Sequence, residues 1–338
     1  MKSFSDKLKT ALDSNLPFAL FRKPNESEVN LYVQDNSSLA KRFLFHSFDS
    51  KIEKVISDEN PHKISVDEFH FDFELNLKNS PNFKPLRQQE YQDLIQNTID
   101  AIQSDLIRKV VMSRKKVIEN SDFNVLKSYK NLVNQHPSAL VFLWHNPNQE
   151  TWMGATPELL LSQENTEVKT VSLASTKLPE NEWSAKEYDE QQIVTDFILN
   201  CFSDVQNVEV KGPKTVQAGK FQHLKSYISG EIPSNYSMKN LLRKLHPTPA
   251  LCGMPKKEAF DYIVENEGYS RQFYSGYIGI ENPEKKEYFV NLRSAQIFKD
   301  TIWIYVGGGI TADSHPEKEW KETELKSGTI LNALESEK

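Results

Sequence analysis

Three side chains near the C-terminus, Glu319, Glu322 and Lys326, are spaced i, i+3 and i+7. At that spacing they share one stripe of a helix. Two carboxylates and an ammonium on one face can be a solvated surface laced by helical ion pairs. They can also be hard oxygen ligands for Mg2+ beside a cation for an anionic substrate. Local spacing leaves both readings open. Just upstream, Val306-Gly307-Gly308-Gly309-Ile310 reads as strand and then glycine turn, a place where the backbone bends sharply or lets something approach closely. Ser314 precedes Glu317 by three residues with Pro316 between them, the pattern of a capping box with proline in the first turn. Trp320, Ser327, Leu331 and Leu334 form the neighbouring stripe, expected to be the buried one.

Four more residues invite a chemical reading. Lys109 opens a strand, Lys109–Arg114, whose alternation puts Lys109, Val111 and Ser113 on one face; the plain alternative is a solubilising strand end. Glu158 stands between Pro157 and the apolar run Leu159-Leu160-Leu161. It is either an exposed turn residue or a carboxyl whose pKa is raised by desolvation, as a general acid requires. Glu190 shares a stripe with Val194 and Phe197 on a helix expected from Ser184 to Phe202, so it faces inward or to a rim. Arg293 reads as mid-strand in Tyr288–Phe298, on the face of Asn291 and Ala295. A buried arginine needs an anionic partner, and its planar fork suits a carboxylate. His223, near the start of a strand over Ser226–Ile232, reads as a satisfied core group.

The elements that must hold these residues come in runs of strands with few helices and no βαβ rhythm. This predicts an α+β fold with large, mostly antiparallel sheets and helices packed outside. The 338 residues, 38% hydrophobic and 26% charged, suffice for one large or two ordinary domains. Residues 1–85 read as a short β-rich N-terminal lobe of the same fold, with strands at Phe18–Arg22 and Val29–Val33. An amphipathic helix over 88–107 opens the remainder, 86–338. A net charge of −6 supplies no basic field for nucleic acid. Cys201 and Cys252 make neither a disulfide framework nor a cysteine zinc site. The triple glycine lacks the lysine of a P-loop, and no His-Glu-x-x-His occurs. With no signal core and no membrane-length apolar run, a soluble cytoplasmic protein is expected.

Five runs, in order, carry a resemblance. They are Lys109-Val110-Val111-Met112-Ser113-Arg114, Gly154-Ala155-Thr156-Pro157-Glu158-Leu159, His246-Pro247-Thr248-Pro249-Ala250-Leu251, Val290-Asn291-Leu292-Arg293-Ser294-Ala295, and Gly307-Gly308-Gly309-Ile310 through Glu319-Trp320-Lys321-Glu322-Thr323 to Lys326. Over roughly residues 88–335 the chain resembles the chorismate-utilising enzymes, and among them the isochorismate synthases. The resemblance makes 86–338 the chorismate-binding catalytic domain. It implies Lys109 as the general base that activates water and Glu158 as the general acid. It implies Glu190 and Glu322 as carboxylates around Mg2+, with Glu319 acting through the metal's water shell. Arg293 and Lys326 match residues that hold the substrate's two carboxylates. Gly307 and Gly309 match backbone against the enolpyruvyl side chain; Ala174, Ser175 and Thr176 match a segment lining the ring; His223, Ala250 and Leu251 match further pocket residues.

The implied reaction adds water at ring C2 of chorismate and expels the C4 hydroxyl, feeding menaquinone or catechol siderophore synthesis. It requires a partly neutral Lys109, which burial near Arg114 or other cations would supply, and a protonated Glu158. Lysine at position 109 argues for water where amine-transferring relatives typically carry glutamine. The alternatives are a salicylate synthase, an amine-transferring enzyme with a glutaminase partner, and a non-catalytic chorismate-binding protein. For the first reading a monomer with no obligatory protein partner is expected. Ser175 departs from a common glycine, Gln191 from a common histidine, and the N-terminal lobe is shorter than usual for the family.

Overall fold

The computed structural model describes residues 3–35, 41–104, 106–119, 123–177, 179–180, 182–218 and 221–334, with backbone alone for Ser175, Thr176, Lys186, Ala218 and Phe221. In chain order the elements are α1 (Phe4–Asp13), β1 (Phe18–Arg22), β2 (Glu28–Val33), β3 (Lys41–His46), β4 (Glu53–Asp58), β5 (His62–Ser65), α2 (Gln88–Gln103), β6 (Lys109–Glu119), α3 (Val125–Gln135), β7 (Leu140–Asn146), β8 (Glu150–Thr156) and β9 (Leu159–Glu164). Then follow β10 (Glu167–Lys177), α4 (Ala185–Cys201), β11 (Gln206–Ala218), β12 (Phe221–Glu231), α5 (Met238–Leu245), β13 (Gly253–Met254), α6 (Lys256–Asn266), β14 (Tyr277–Glu281), β15 (Lys285–Val290), β16 (Ser294–Ile297), β17 (Thr301–Ile310) and α7 (Pro316–Leu331).

The strands form two sheets. One runs β13-β6-β17-β16-β8-β7-β1-β2-β5 and the other β11-β12-β10-β9-β15-β14-β3-β4. The described pairings are antiparallel, as in β17 with β6 and β8 with β16. The first 65 residues add strands to both: β1 pairs with β7, while β3 pairs with β14. The expected strands at Phe18–Arg22 and Val29–Val33 are β1 and most of β2. Helix α1 was not anticipated, although Ser3 and Asp6 form a full capping box at its start.

The sheets stack between layers of helices. β1, Phe-Ala-Leu-Phe-Arg, is buried throughout. Its Phe21 joins Tyr32, Phe43, Phe45, Trp144, Trp152 and Tyr305 in an aromatic core shared by both sheets. Its Phe18 and Leu20 pack on the opposite face with Leu8 of α1 and Tyr129 and Leu132 of α3. A strand covered on both faces loses its apolar–polar alternation, so these segments read as plain apolar runs. On the outer face of the second sheet, α4 and α5 pack through Ile198, Phe202, Leu241 and Leu245. α2 and α6 cover the β6 end through Tyr91, Ile95, Ala259 and Ile263.

Two sequence expectations change here. The three glycines do not turn: Gly307, Gly308 and Gly309 continue β17, in register with Ser113, Met112 and Val111. Likewise Tyr288–Phe298 is not one strand. β15 belongs to the second sheet and β16 to the first, and Asn291-Leu292-Arg293 carries the chain between them. Arg293 is therefore not mid-strand but at the crossing, with φ +49°. That left-handed backbone, uncommon outside glycine, lets the chain change sheets within three residues. Asn291 pins the crossing: its side-chain amide donates to Phe273 O at 2.8 Å, its N–H to Gly276 O at 2.8 Å, and its carbonyl accepts from Ser275 N at 2.9 Å.

Candidate active site

A second crossing runs beside the first. β8 leaves the first sheet at Thr156 and β9 enters the second at Leu159, with Pro157-Glu158 between. Ala155 N donates to Arg293 O at 3.1 Å and Val290 N to Glu158 O at 3.0 Å. The two crossings are thus tied together, and Glu158 and Arg293 open on the same cavity of about 1470 Å³. His223, Ala250, Leu251, Gly307, Gly309, Glu322 and Lys326 also line it.

Lys109, the first residue of β6, lays its side chain against Gly309 of β17, which lines the cavity. A Cβ on Gly309 would stand 2.8 Å from Lys109 Cε and 3.4 Å from its Nζ. One on Gly308 would stand 2.9 Å from Glu319 Oε2 and 3.8 Å from Glu322 Oε1. Neither glycine has a positive φ. Close approach of a lysine and two carboxylates is their physical reason, and it explains why glycine here does not mark a turn.

The electrostatics separate the two proton-transfer candidates. Burial lowers the Lys109 pKa; Glu190 and Glu158 oppose the shift and Lys326 adds to it. Burial pushes Glu158 up to about 7, against the pull of Arg293 and Lys109. A lysine driven towards neutrality and a carboxyl driven towards its protonated form thus feel each other's charge. Arg114 does not supply the expected help. It donates to Thr323 Oγ1 at 2.9 Å and to Glu324, and its guanidinium stacks 3.8 Å from the Trp320 ring, so it binds α7 to β6. Arg293 is likewise pulled down by burial, opposed by Tyr274, Glu322 and Glu158. Its Nη1 approaches Thr329 Oγ1 at 3.4 Å.

On α7 the buried stripe is Thr323, Ser327 and Ile330. Trp320, Leu331 and Leu334 are half-buried beside it. The helix is capped at His315, not Ser314. Ser314 instead accepts from Thr311 N at 3.2 Å and hydrogen-bonds the Glu319 carboxylate. Burial raises the Glu319 pKa, the Ser314 bond opposes this, and the neighbouring Glu322 adds to it. Lys326 Nζ holds Glu322 Oε1 at 2.5 Å and Gly307 O at 2.8 Å. Among the described residues no three His, Cys, Asp or Glu side chains stand together as a metal set. The pair of carboxylates leaning over Gly308 is nonetheless a hard-oxygen cradle of the kind a divalent cation takes.

The ring-lining and α4 candidates lie further out. Ala174 is half-buried on β10, paired with Leu224, and a bulge separates it from Thr176. The side chains of Ser175 and Thr176 lie outside the described residues. His223 is half-buried on β12 opposite Thr176. Glu190 is exposed on α4, at the rim rather than inside, yet its charge reaches Lys109. The inward position is Gln191, which is 1% exposed and donates to Ser172 Oγ at 2.7 Å. The buried stripe of α4 runs Gln191, Thr195 and Ile198, continued by Phe202 at the C-cap, rather than Glu190, Val194 and Phe197.

Sequence reading missed the ion pair behind β6. Glu267 and Arg271 are 2.5 Å apart and 1% exposed. At i, i+4 in sequence they look like an ordinary surface helical pair, and only the apolar residues around them, Ile263 and Phe273, hint at burial.

Residues 27–335 match the family model described as chorismate binding enzyme. The chain is 29% identical to an isochorismate synthase, MenF, of Haemophilus influenzae over 73% of this chain and 60% of that one. It is 31% identical to MenF of Bacillus subtilis over 75% of this chain and 57% of that one. It thus spans about three-fifths of the length of these curated relatives. The solved structure of the menaquinone-specific isochorismate synthase MenF from Escherichia coli superposes with a TM-score of 0.81 at 19% identity, covering 94% of this chain and 88% of that one. That superposition establishes a shared fold. With the family model matching nearly the whole described chain, the protein belongs to the chorismate-binding enzymes.

Proposed function

We propose that this protein is an isochorismate synthase, converting chorismate reversibly to isochorismate with Mg2+. The observation that carries the reading is that Glu158, on the cavity, and Lys109, packed against Gly309 of its wall, feel each other's charge and are shifted by burial in opposite directions, towards a neutral base and a protonated acid. Lys109 takes a proton from water as the water oxygen bonds to ring C2. The two ring double bonds shift, the C4–O bond breaks, and Glu158 gives its proton to the departing hydroxyl. Atoms and charge balance, and each proton transfer is worth a factor on the order of 100 to 10,000. Arg293 and Lys326 meet the substrate's carboxylates, one by a planar fork and one as a point charge. Glu319 and Glu322, with Glu190 from α4, would hold Mg2+, which when bound neutralises one carboxylate among these acidic side chains. Names of relatives in menaquinone and salicylate routes support a place in quinone or siderophore synthesis. No described helix is long and apolar enough to cross a membrane, and we take the enzyme to be a cytoplasmic monomer.

Purified protein incubated with chorismate and Mg2+, with and without EDTA and ammonium, tests the reading by chromatography of the products. Metal-dependent isochorismate approaching an equilibrium mixture is expected. Salicylate with pyruvate, or an amine formed only with ammonium, would move the enzyme to a sister activity; no product would leave a chorismate-binding protein.

A further inference from the structure

We propose that the buried pair Glu267–Arg271 is a positioning device: it locks the strand that carries Lys109 and the loop that carries Ala250 and Leu251 into one rigid unit. The proposal rests on the reading of Lys109 as the base. Among the described residues, β6 is flanked by β17 on one side and on the other only by the two-residue β13, which pairs at Lys109 and Val110. Beyond β13 no described strand pairs with this edge of β6, and an unpaired buried edge is unstable. The ion pair takes the place of that strand. Ser113 N donates to Glu267 Oε1 at 2.6 Å and Ser113 Oγ to the same oxygen at 2.9 Å. Val111 O accepts from Arg271 Nη2 at 2.5 Å.

The other amino group of Arg271 donates to Leu251 O at 3.0 Å, and Leu251 lines the cavity. One guanidinium therefore bridges the Lys109 strand and the cavity loop. Nε and Nη2 meanwhile hold both oxygens of Glu267, at 2.8 and 2.5 Å. This uses the rigid fork that distinguishes arginine from lysine. Phe48 covers the guanidinium at 4.4 Å, and the Tyr269 hydroxyl lies 2.7 Å from Ser113 Oγ. Of the nearby charges, Lys115 faces Glu267, while Lys109 faces Glu190, Glu158 and Lys326.

A buried ion pair contributes little net stability for its desolvation. Its use here is geometric: Lys109 lies two residues from Val111, and its low proton affinity depends on staying dry. Loosening of the unit admits water and raises that affinity.

The test is Arg271→Lys, which keeps the charge for Glu267 but cannot fork to both carbonyls, with Glu267→Gln as a second variant. Each is assayed on chorismate with Mg2+ across pH, beside thermal melting and Lys109→Ala. The expected result for Arg271→Lys is a kcat lower by about tenfold with a smaller change in KM. The acidic limb of the kcat/KM profile moves up by about half a pH unit, because the base must be neutral and its pKa has risen. Glu267→Gln, which keeps the acceptor for Ser113, shows the same limb shift to a smaller extent. An unmoved limb with kcat per folded molecule within about twofold of wild type overturns the proposal, as does failure of both variants to fold, which would make the pair purely structural. If Lys109→Ala retains turnover, the reading of Lys109 fails instead, so the two failures are distinguishable.

Discussion

Lys109, Glu158 and Arg293 stand on a strand and on strand crossings, whereas Glu190, Glu319 and Glu322 stand on helices α4 and α7. Burial is the largest cause of each pKa shift in the first group. In the second group Glu190 and Glu322 are exposed, and Glu322 is engaged by Lys326. Proton transfer needs desolvation and fixed geometry, which strands and strand crossings supply through backbone hydrogen bonds to their neighbours. Holding a cation needs charge and reach, which side chains on helix surfaces supply with less preorganisation. On the proposed reading, the site joins a rigid half that sets protonation states to a softer half that gathers charge.

The sharpest way to break this division is by substitution on either side. Lys109→Ala and Glu158→Gln are each expected to lower kcat by about 100- to 10,000-fold at saturating Mg2+, measured by isochorismate formation. Glu322→Gln and Glu190→Gln should instead raise the half-saturating Mg2+ concentration by about tenfold or more, with a smaller fall in kcat once metal is saturating. If Glu190→Gln lost as much kcat in excess Mg2+ as Lys109→Ala, the two halves would not be separable.

The glycines of β17 sharpen the picture. Gly309→Ala meets the flexible end of Lys109, so kcat should fall by about tenfold with little change in melting temperature. Gly307→Ala meets the Met112 carbonyl 2.8 Å from the new Cβ; backbone cannot step aside, and a loss of about 1–3 kcal/mol of stability is expected. Equal stabilities for the two variants would contradict this assignment.

A smaller effect concerns pH. The Glu158 carboxyl is raised to about 7 in the folded protein by burial. Between its ordinary value and 7 the folded state therefore binds more protons than the unfolded state, and the contribution of this group to stability falls as pH rises through that window. Glu158→Gln, neutral at every pH, should melt higher than wild type at pH 8, by about 1–3 kcal/mol, and match it more closely at pH 5. No gain at pH 8 would mean that the carboxyl is not under desolvation strain.

Much of this was legible in the sequence, and the failures share a cause. Strand and helix existence followed from apolar runs and periodicity, as for α2 and β6. What periodicity could not supply was which sheet a strand joins. Tyr288–Phe298 reads as one strand because both halves are apolar, and nothing local marks Arg293 as the residue where the chain changes layers. Gly307-Gly308-Gly309 reads as a turn because glycine lacks side-chain packing, yet the ladder with β6 supplies the partners. Glu267 and Arg271 look like surface charge until the edge of β6 that they cover is known. Gln191 and Glu190 exchange roles on α4 because the helix packs through a polar seam, with Ser172 bonded to both Gln191 and Thr195, rather than through the apolar stripe a hydrophobic count would choose. The five ordered motifs single out Lys109, Glu158, Arg293, Glu319, Glu322 and Lys326 independently of local structure, whereas Glu190 lies outside them.

The central claim is that Lys109 activates a water that becomes the C2 hydroxyl of the product. Running the reaction in water enriched in the heavy oxygen isotope, with mass spectrometry of the isochorismate, tests it most directly. The account predicts one labelled oxygen per product molecule formed by the wild type, with label incorporation by Lys109→Ala slowed by about 100-fold or more. Unlabelled isochorismate, as migration of the substrate's own hydroxyl would give, or equal incorporation by Lys109→Ala, would contradict it.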